Sequence, residues 1–134
     1  MTARGRRVFV IDDDRSVCRG LARLLETAGF RVETFDSGPA FLERAPPRGE
    51  HCLVVDVRMP GMTGPELRDA LRTSGRDSPL VFITAHEIEM VEDLGMEVVL
   101  PKPIEADVLV RAIDAAMSGG LGRRSGKRLR VARR

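Results

Sequence analysis

The sequence predicts one α/β domain: a single doubly wound, five-stranded parallel sheet with helices on both faces. Three observations carry this. Short apolar runs alternate with amphipathic stretches from Val8 to Met117. Three of those runs end on Asp12, Asp56 and Thr84, as strands do when they lead into a site at their carboxyl ends. The length of 134 residues is enough for one domain with a real core and too short for two.

The elements follow in order. Val8–Asp12 is a buried-strand run rising into acids. Asp14 can cap the next helix, where Val17, Leu21, Leu24, Leu25 and Ala28 share a face and Gly29 ends it. Phe30–Phe35 alternates as a second strand. Ser37 offers an N-cap before Pro39, and the short helix through Ala40, Phe41 and Leu42 ends by Pro46 and Pro47. Cys52–Asp56 is the most apolar strand, and Met59–Gly64 is a turn by its Pro and Gly content. Pro65 suits the first residue of a helix through Leu67, Ala70 and Leu71. Leu80–Thr84 is the fourth strand, a weak helix lies around Ile88–Leu94, and Val98–Leu100 is the fifth strand. Ile104–Met117 is an amphipathic helix.

Composition narrows the class. Hydrophobic residues are 43% and charged residues 31%, which fits a globular chain and not a disordered one. No apolar run approaches the roughly 18 residues of a membrane span, and no secretory leader is visible, so no membrane partner is expected. Cys18 and Cys52 have no metal or disulfide spacing and read as small core side chains in a reducing, cytoplasmic setting. The net charge of +2 hides an asymmetry. Residues 118–134 carry seven positive charges and no acid, and the lead 1–7 carries three. Residues 8–117 hold 12 basic and 20 acidic side chains, a net of −8. The domain itself is acidic, between a basic lead (1–7) and a basic tail (118–134).

A parallel doubly wound sheet gathers Asp12, Asp13, Asp56, Thr84 and Lys102 at one edge. Carboxylates about 4 Å apart repel by about 1 kcal/mol in water, and by about 4 kcal/mol at an effective dielectric of 20. Either their pKa values rise or a cation joins them. Oxygen ligands with open positions suit magnesium, which keeps waters that a phosphate oxygen can replace. A hydroxyl at Thr84 and a point charge at Lys102 would then serve an incoming anion. An aspartate nucleophile among these groups is a phosphoryl-transfer constellation.

Each residue also has a plainer reading. Acids often cap helices, Asp56 could sit in an Asx-turn, Thr84 could be a strand residue and Lys102 a solvated charge. Four such coincidences in the right order favour the functional reading. No G-x-x-x-x-G-K-[ST] loop is present, and the first strand ends in acids where a dinucleotide site needs glycines. A haloacid-dehalogenase-type phosphatase needs a second Asp two residues after its nucleophile, where this chain has Arg58.

The segments VFVIDDD, VVDVRMPGMTG, VFITAH and PKP together resemble the receiver domain of two-component response regulators, nearest the FixJ-type group. The resemblance spans about Val8 to Met117, the receiver domain (8–117). It implies the (βα)5 CheY-like, flavodoxin-like arrangement with strand order 2-1-3-4-5. It further implies Asp56 as phosphoacceptor, with Mg2+ held by Asp12, Asp13, Asp56 and the Arg58 backbone carbonyl. Thr84 and Lys102 would bind the phosphoryl oxygens, and Pro103 would follow a cis peptide bond. Arg58 and His86, two residues past Asp56 and Thr84, would tune acyl-phosphate hydrolysis. His86 reads about equally well as an exposed loop residue, and His51 as loop surface. The implied partners are a histidine kinase and a downstream output protein, and the role is that of a signalling domain and not an enzyme.

Two departures bear on output. The family's fifth-strand aromatic, whose ring turns inward on activation, is Val99 here. Between Thr84 and Pro101 only 16 residues remain, about one turn short, which predicts a shortened fourth helix. A phosphorylation-independent interaction module of the same fold is therefore an alternative. FixJ-type regulators also carry a helix-turn-helix effector, and residues 118–134 are too few and too polar to be one. That tail reads first as a disordered basic arm for nucleic acid or acidic partners, with a linker remnant or a fold-back onto the domain as the other readings.

Overall fold

The computed structural model describes residues 5–85 and 98–119, together with the backbone of Arg130 and Val131. The weak helix around Ile88–Leu94, and with it the shortened fourth helix, lies outside the described residues, as does His86.

Strands β1 (Arg7–Ile11), β2 (Arg31–Phe35), β3 (His51–Asp56), β4 (Leu80–Thr84) and β5 (Val98–Pro101) alternate with helices α1 (Arg15–Thr27), α2 (Gly38–Glu43), α3 (Gly64–Thr73) and α4 (Ala106–Met117). All strand pairs are parallel, and the first five strands lie in the expected order β2-β1-β3-β4-β5. A short β6 (Arg130–Val131) extends the sheet beyond β5, with Arg130 opposite Val98 and Val131 opposite Val99. This corrects the disordered reading of the tail at those two residues. Without it β5 would be an edge with unpaired backbone groups, and a short extended segment satisfies some of them.

Alternation along the strands divides the core. Val8, Val10, Cys52, Val54, Val81, Ile83, Val98 and Leu100 face α1 and α4, and pack with Leu21, Leu25, Leu109 and Ile113. Phe9, Ile11, Leu53, Val55, Leu80, Phe82 and Val99 face α2 and α3, and pack with Phe41, Leu67 and Leu71. Strands buried on both faces read as unbroken apolar runs, which is why CLVV and LVFI looked as they did. Both cysteines are free and buried, as expected.

Local chemistry fixes the helix starts. The Asp14 carboxylate accepts from the Ser16 and Val17 amides, and Ser37 Oγ accepts from the Ala40 amide. Gly29 takes φ +103° just past α1, a conformation that strains any side chain with a Cβ. In α3 the first position is Gly64 and Pro65 is second, because Thr63 is the cap. Thr63 Oγ1 accepts from the Glu66 amide while Glu66 accepts from the Thr63 amide. Helix α4 begins at Ala106, two residues later than the apolar pattern suggests, after a cis Lys102–Pro103 bond.

Two boundary readings shift. The basic lead does not stop outside the domain: Arg7 opens β1, and the mostly buried Arg6 reaches Asp114 at 3.0 Å and Glu50 at 3.6 Å. His51 is not loop surface. It opens β3, half-buried, with its ring edge-on to Phe9 and its nitrogens 3.0 Å from Ser78 Oγ and the Gly49 carbonyl.

Candidate functional site

Three strand ends build the site. Asp12 follows β1 directly, Asp56 is the last residue of β3, and Thr84 the last of β4. All three are buried, at 1%, 6% and 1% exposure, where an isolated charge is costly. Asp13 is exposed at the rim. Carboxylate oxygens of Asp12, Asp13 and Asp56 lie within 4.8 Å of one another. Lys102, just past β5, reaches across β4 to join them. Its Nζ donates to Asp12 Oδ2 at 3.0 Å and lies 3.1 Å from Asp56 Oδ1. Its backbone amide donates to the Thr84 carbonyl at 2.8 Å, which locks the ends of β4 and β5 together.

The charges do not balance. Burial, and then the Asp12 charge, lift the Asp56 carboxyl to about 6, with Lys102 pulling the other way. Burial would lower the Lys102 ammonium, but its bonds to Asp12 and Asp56 outweigh this and leave it raised. One ammonium thus serves three clustered acids. The surplus is negative, and the donors are hard oxygens, a set suited to a small divalent cation. Asp12 is oriented for such a role by the Asp14 amide, which donates to its Oδ1 at 2.9 Å. On the other side of Asp56, the Val57 amide donates to the Ile83 carbonyl and the Gly64 amide to the Val57 carbonyl, both at 2.9 Å. This turns the chain back over the site. A Cβ at Gly64 would fall 2.6 Å from the Asp56 carbonyl oxygen, so only glycine fits.

Five residues expected from the sequence, Asp12, Asp13, Asp56, Thr84 and Lys102, therefore share one edge of the sheet. Arg58 is exposed beside them, and Val99 is wholly buried on β5, opposite Phe82 on β4. The sequence reading missed Gly64, Phe82 and Arg68. The T-x-x-E capping box at Thr63–Glu66 was a signal that could have placed Gly64 at a helix start.

The fold and this acid-lysine edge define a doubly wound signalling domain with a polar pocket at the strand ends. The family model "Response regulator receiver domain" matches residues 8–114, and the chain belongs to that family. It is 38% identical over 122 residues to the transcriptional regulatory protein FixJ of Bradyrhizobium diazoefficiens, covering 87% of this chain and 58% of FixJ. Among solved structures, the response regulator StyR superposes with a TM-score of 0.73 at 44% identity, covering 86% of this chain and 60% of StyR. The FixJ-N crystal structure superposes with a TM-score of 0.75 at 32% identity, covering 86% of this chain and 95% of FixJ-N. The chain spans less than two thirds of full-length FixJ and of StyR. It is a receiver domain of two-component signalling.

Proposed function

We propose that Asp56 is the phosphoryl acceptor and that a histidine kinase is its donor. The observation that supports this most is the Lys102 ammonium within 3.1 Å of buried carboxylates on both Asp12 and Asp56, with Thr84 closing the next strand. An Asp56 carboxylate oxygen forms the new bond to phosphorus. The nitrogen–phosphorus bond of a phosphohistidine breaks, and its electron pair stays on nitrogen. Thr84 donates its hydroxyl to a phosphoryl oxygen, and Lys102 neutralises charge that develops there. Asp12, Asp13, Asp56 and the Arg58 carbonyl would hold Mg2+, which supplies positive charge toward the phosphoryl oxygens when bound. Arg58, two residues past Asp56 in the chain, and His86, two residues past Thr84, are the residues that set how long the acyl phosphate lasts. Cytoplasmic placement follows from this donor; among the described residues no helix is long and apolar enough to cross a membrane.

Incubation with Mg2+ and acetyl phosphate, followed by intact-mass and peptide analysis, tests the reading. The wild-type chain is expected to gain one phosphoryl group on the peptide containing Asp56, and Asp56→Asn none. Full labelling of the variant would overturn the assignment.

Val99 supports a second reading, an interaction module that keeps the pocket but does not use it as a switch. Labelling at Asp56 without any conformational response would favour it. Nucleic-acid binding through the basic tail rests on the seven charges of residues 118–134 and is tested separately below.

A further inference from the structure

The α2–α3 side of the sheet encloses a buried cation. Arg68, one turn into α3, is 7% exposed, and its guanidinium carbon sits 5.9 Å from the centroid of the Phe82 ring. Its Nε donates at 3.0 Å to Asp69, whose side chain is 64% exposed. Phe82 is itself wholly buried. Strand alternation puts Phe82 and Thr84 on the same face of β4, two residues apart. Asp12, Asp56 and Lys102 continue the rows of the opposite face, so Thr84 alone among the buried pocket residues belongs to the Phe82 row. The ring has little clearance. A Cβ on Gly64 would lie 2.9 Å from Phe82 Cε1 and 2.6 Å from the Asp56 carbonyl oxygen, so only glycine leaves the ring its place there. Phe82 is held between the segment that follows Asp56 and the Arg68 cation.

We propose that Phe82 and Arg68 are positioning residues that carry the state of the acid pocket to the surface of α3 at Asp69. The proposal rests on the reading of Asp56 as acceptor. When the Thr84 hydroxyl moves to an oxygen on Asp56, the end of β4 moves with it. A close-packed layer transmits such a shift and does not absorb it. With Gly64 on one side of the ring and Arg68 on the other, the displacement reaches Arg68. A buried guanidinium holds to its partners, among them the ring face and a carboxylate, and follows them. The Arg68–Asp69 pair then rearranges at the surface. The β5 neighbour of Phe82 is Val99, whose branched side chain has no ring to carry the movement, so the route lies through β4 and α3.

Backbone amide spectra of the full chain with Mg2+, with and without beryllofluoride as a phosphoryl mimic, test this alongside acetyl phosphate labelling. In the wild-type chain, shifts are expected at Asp56 and Thr84 and also through Leu67–Arg72. In Arg68→Lys and Arg68→Met, labelling and the shifts at Asp56 and Thr84 are expected to persist, while those from Asp69 to Arg72 largely disappear. Phe82→Leu is expected to do the same; if it does not fold, the arginine variants decide, since they leave the apolar layer intact. Wild-type shifts confined to the loops around Asp56 and Thr84, or α3 shifts that survive in both arginine variants, would overturn the relay and leave the acceptor reading standing. No label and no shift at Asp56 in the wild-type chain would overturn the acceptor reading and the relay with it.

Discussion

The two apolar layers of this domain are built from different materials. Against α1 and α4 the sheet presents Val, Ile, Leu and Cys, with Phe30 the single buried ring. Against α2 and α3 it presents Phe9 and Phe82, which pack with Phe41 of α2, with Phe35 at the margin. Phe9, Phe35 and Phe41 form a cluster with centroids 5.2–6.4 Å apart. Each buried ring of this layer also carries a guanidinium: Arg44 at 4.8 Å from Phe9, Arg76 at 5.8 Å from Phe41 and Arg68 at 5.9 Å from Phe82. Branched aliphatic side chains interlock into a layer that resists rearrangement, whereas a guanidinium held over a ring face moves with the ring it is attracted to. The aliphatic layer is a foundation for Asp12, Asp56 and Lys102. The ring layer is where a signal can move.

Stability measurements break this comparison if it is wrong, and the largest effect is expected in the aliphatic layer. Leu109 is wholly buried between α4 and the sheet, so Leu109→Ala is expected to cost about 2–5 kcal/mol in denaturant unfolding. Arg44→Met removes one cation from the ring layer, and its ion pair with the half-exposed Glu33, for about 1 kcal/mol or less. Equal losses for the two variants would show that the layers are not mechanically distinct.

The pocket between the layers should show its strain in pH dependence. The Asp56 carboxyl rises from 3.8 to about 6 on folding, so between those values the folded chain holds more protons than the unfolded chain. Its contribution to stability is therefore present below about 3.8 and lost as pH rises through about 6. Without divalent cations, Asp56→Asn is expected to raise stability at pH 7.5 by up to about 3 kcal/mol and to change it far less near pH 4. Denaturant midpoints at the two pH values check this. Adding Mg2+ is expected to stabilise the wild-type chain more than the variant, because binding to the folded state adds to its stability. A variant less stable than wild type at pH 7.5 would mean that the Lys102 contact outweighs burial.

The sequence made the scaffold legible because the apolar strand runs give way abruptly to polar residues and the starts of α1, α2 and α3 carry their own caps. The pocket residues were legible for the same reason: Asp12, Asp56 and Thr84 interrupt apolar runs where a fully buried strand has no use for a charge or hydroxyl. Arg68 was not. At position 68 an arginine among Glu66, Asp69 and Arg72 looks like one more charge on a solvated helix face, and only packing shows that α3 turns it inward. His51 was hidden in the same way, since its ring lies against Phe9 from a strand that begins one residue earlier than its apolar run. The pairing of β6 was hidden because Arg130–Val131 is extended by contact with β5 and not by its own pattern. Local pattern reports propensity, and these three are set by partners distant in the chain.

The smallest expected effect concerns that sixth strand and the charge around it. Residues 118–134 carry seven positive charges beside a domain of net −8, so attraction between them should depend on salt. The Debye length falls from about 10 Å at 0.1 M to about 3 Å at 1 M, which removes most of a surface attraction but leaves backbone pairing in place. Deletion of residues 119–134 is expected to lower thermal stability slightly at 0.1 M salt and less at 1 M, with phosphoryl labelling of Asp56 unchanged. Hydrogen exchange at Val99 separates the two contributions, because the Lys102 amide bonds to β4 and alternation turns the Val99 amide the other way, toward β6. If this amide exchanges faster in the deletion at both salt concentrations, β6 is held by strand pairing. If it differs only at low salt, charge alone brings the segment to the sheet. A parallel measurement decides whether the tail has an external partner. Retention on duplex DNA that falls steeply with salt in the full chain, and is absent in the deletion, marks a nucleic-acid arm. The edge of β5 and an anionic polymer would then compete for one segment, and exchange at Val99 should quicken when DNA is added.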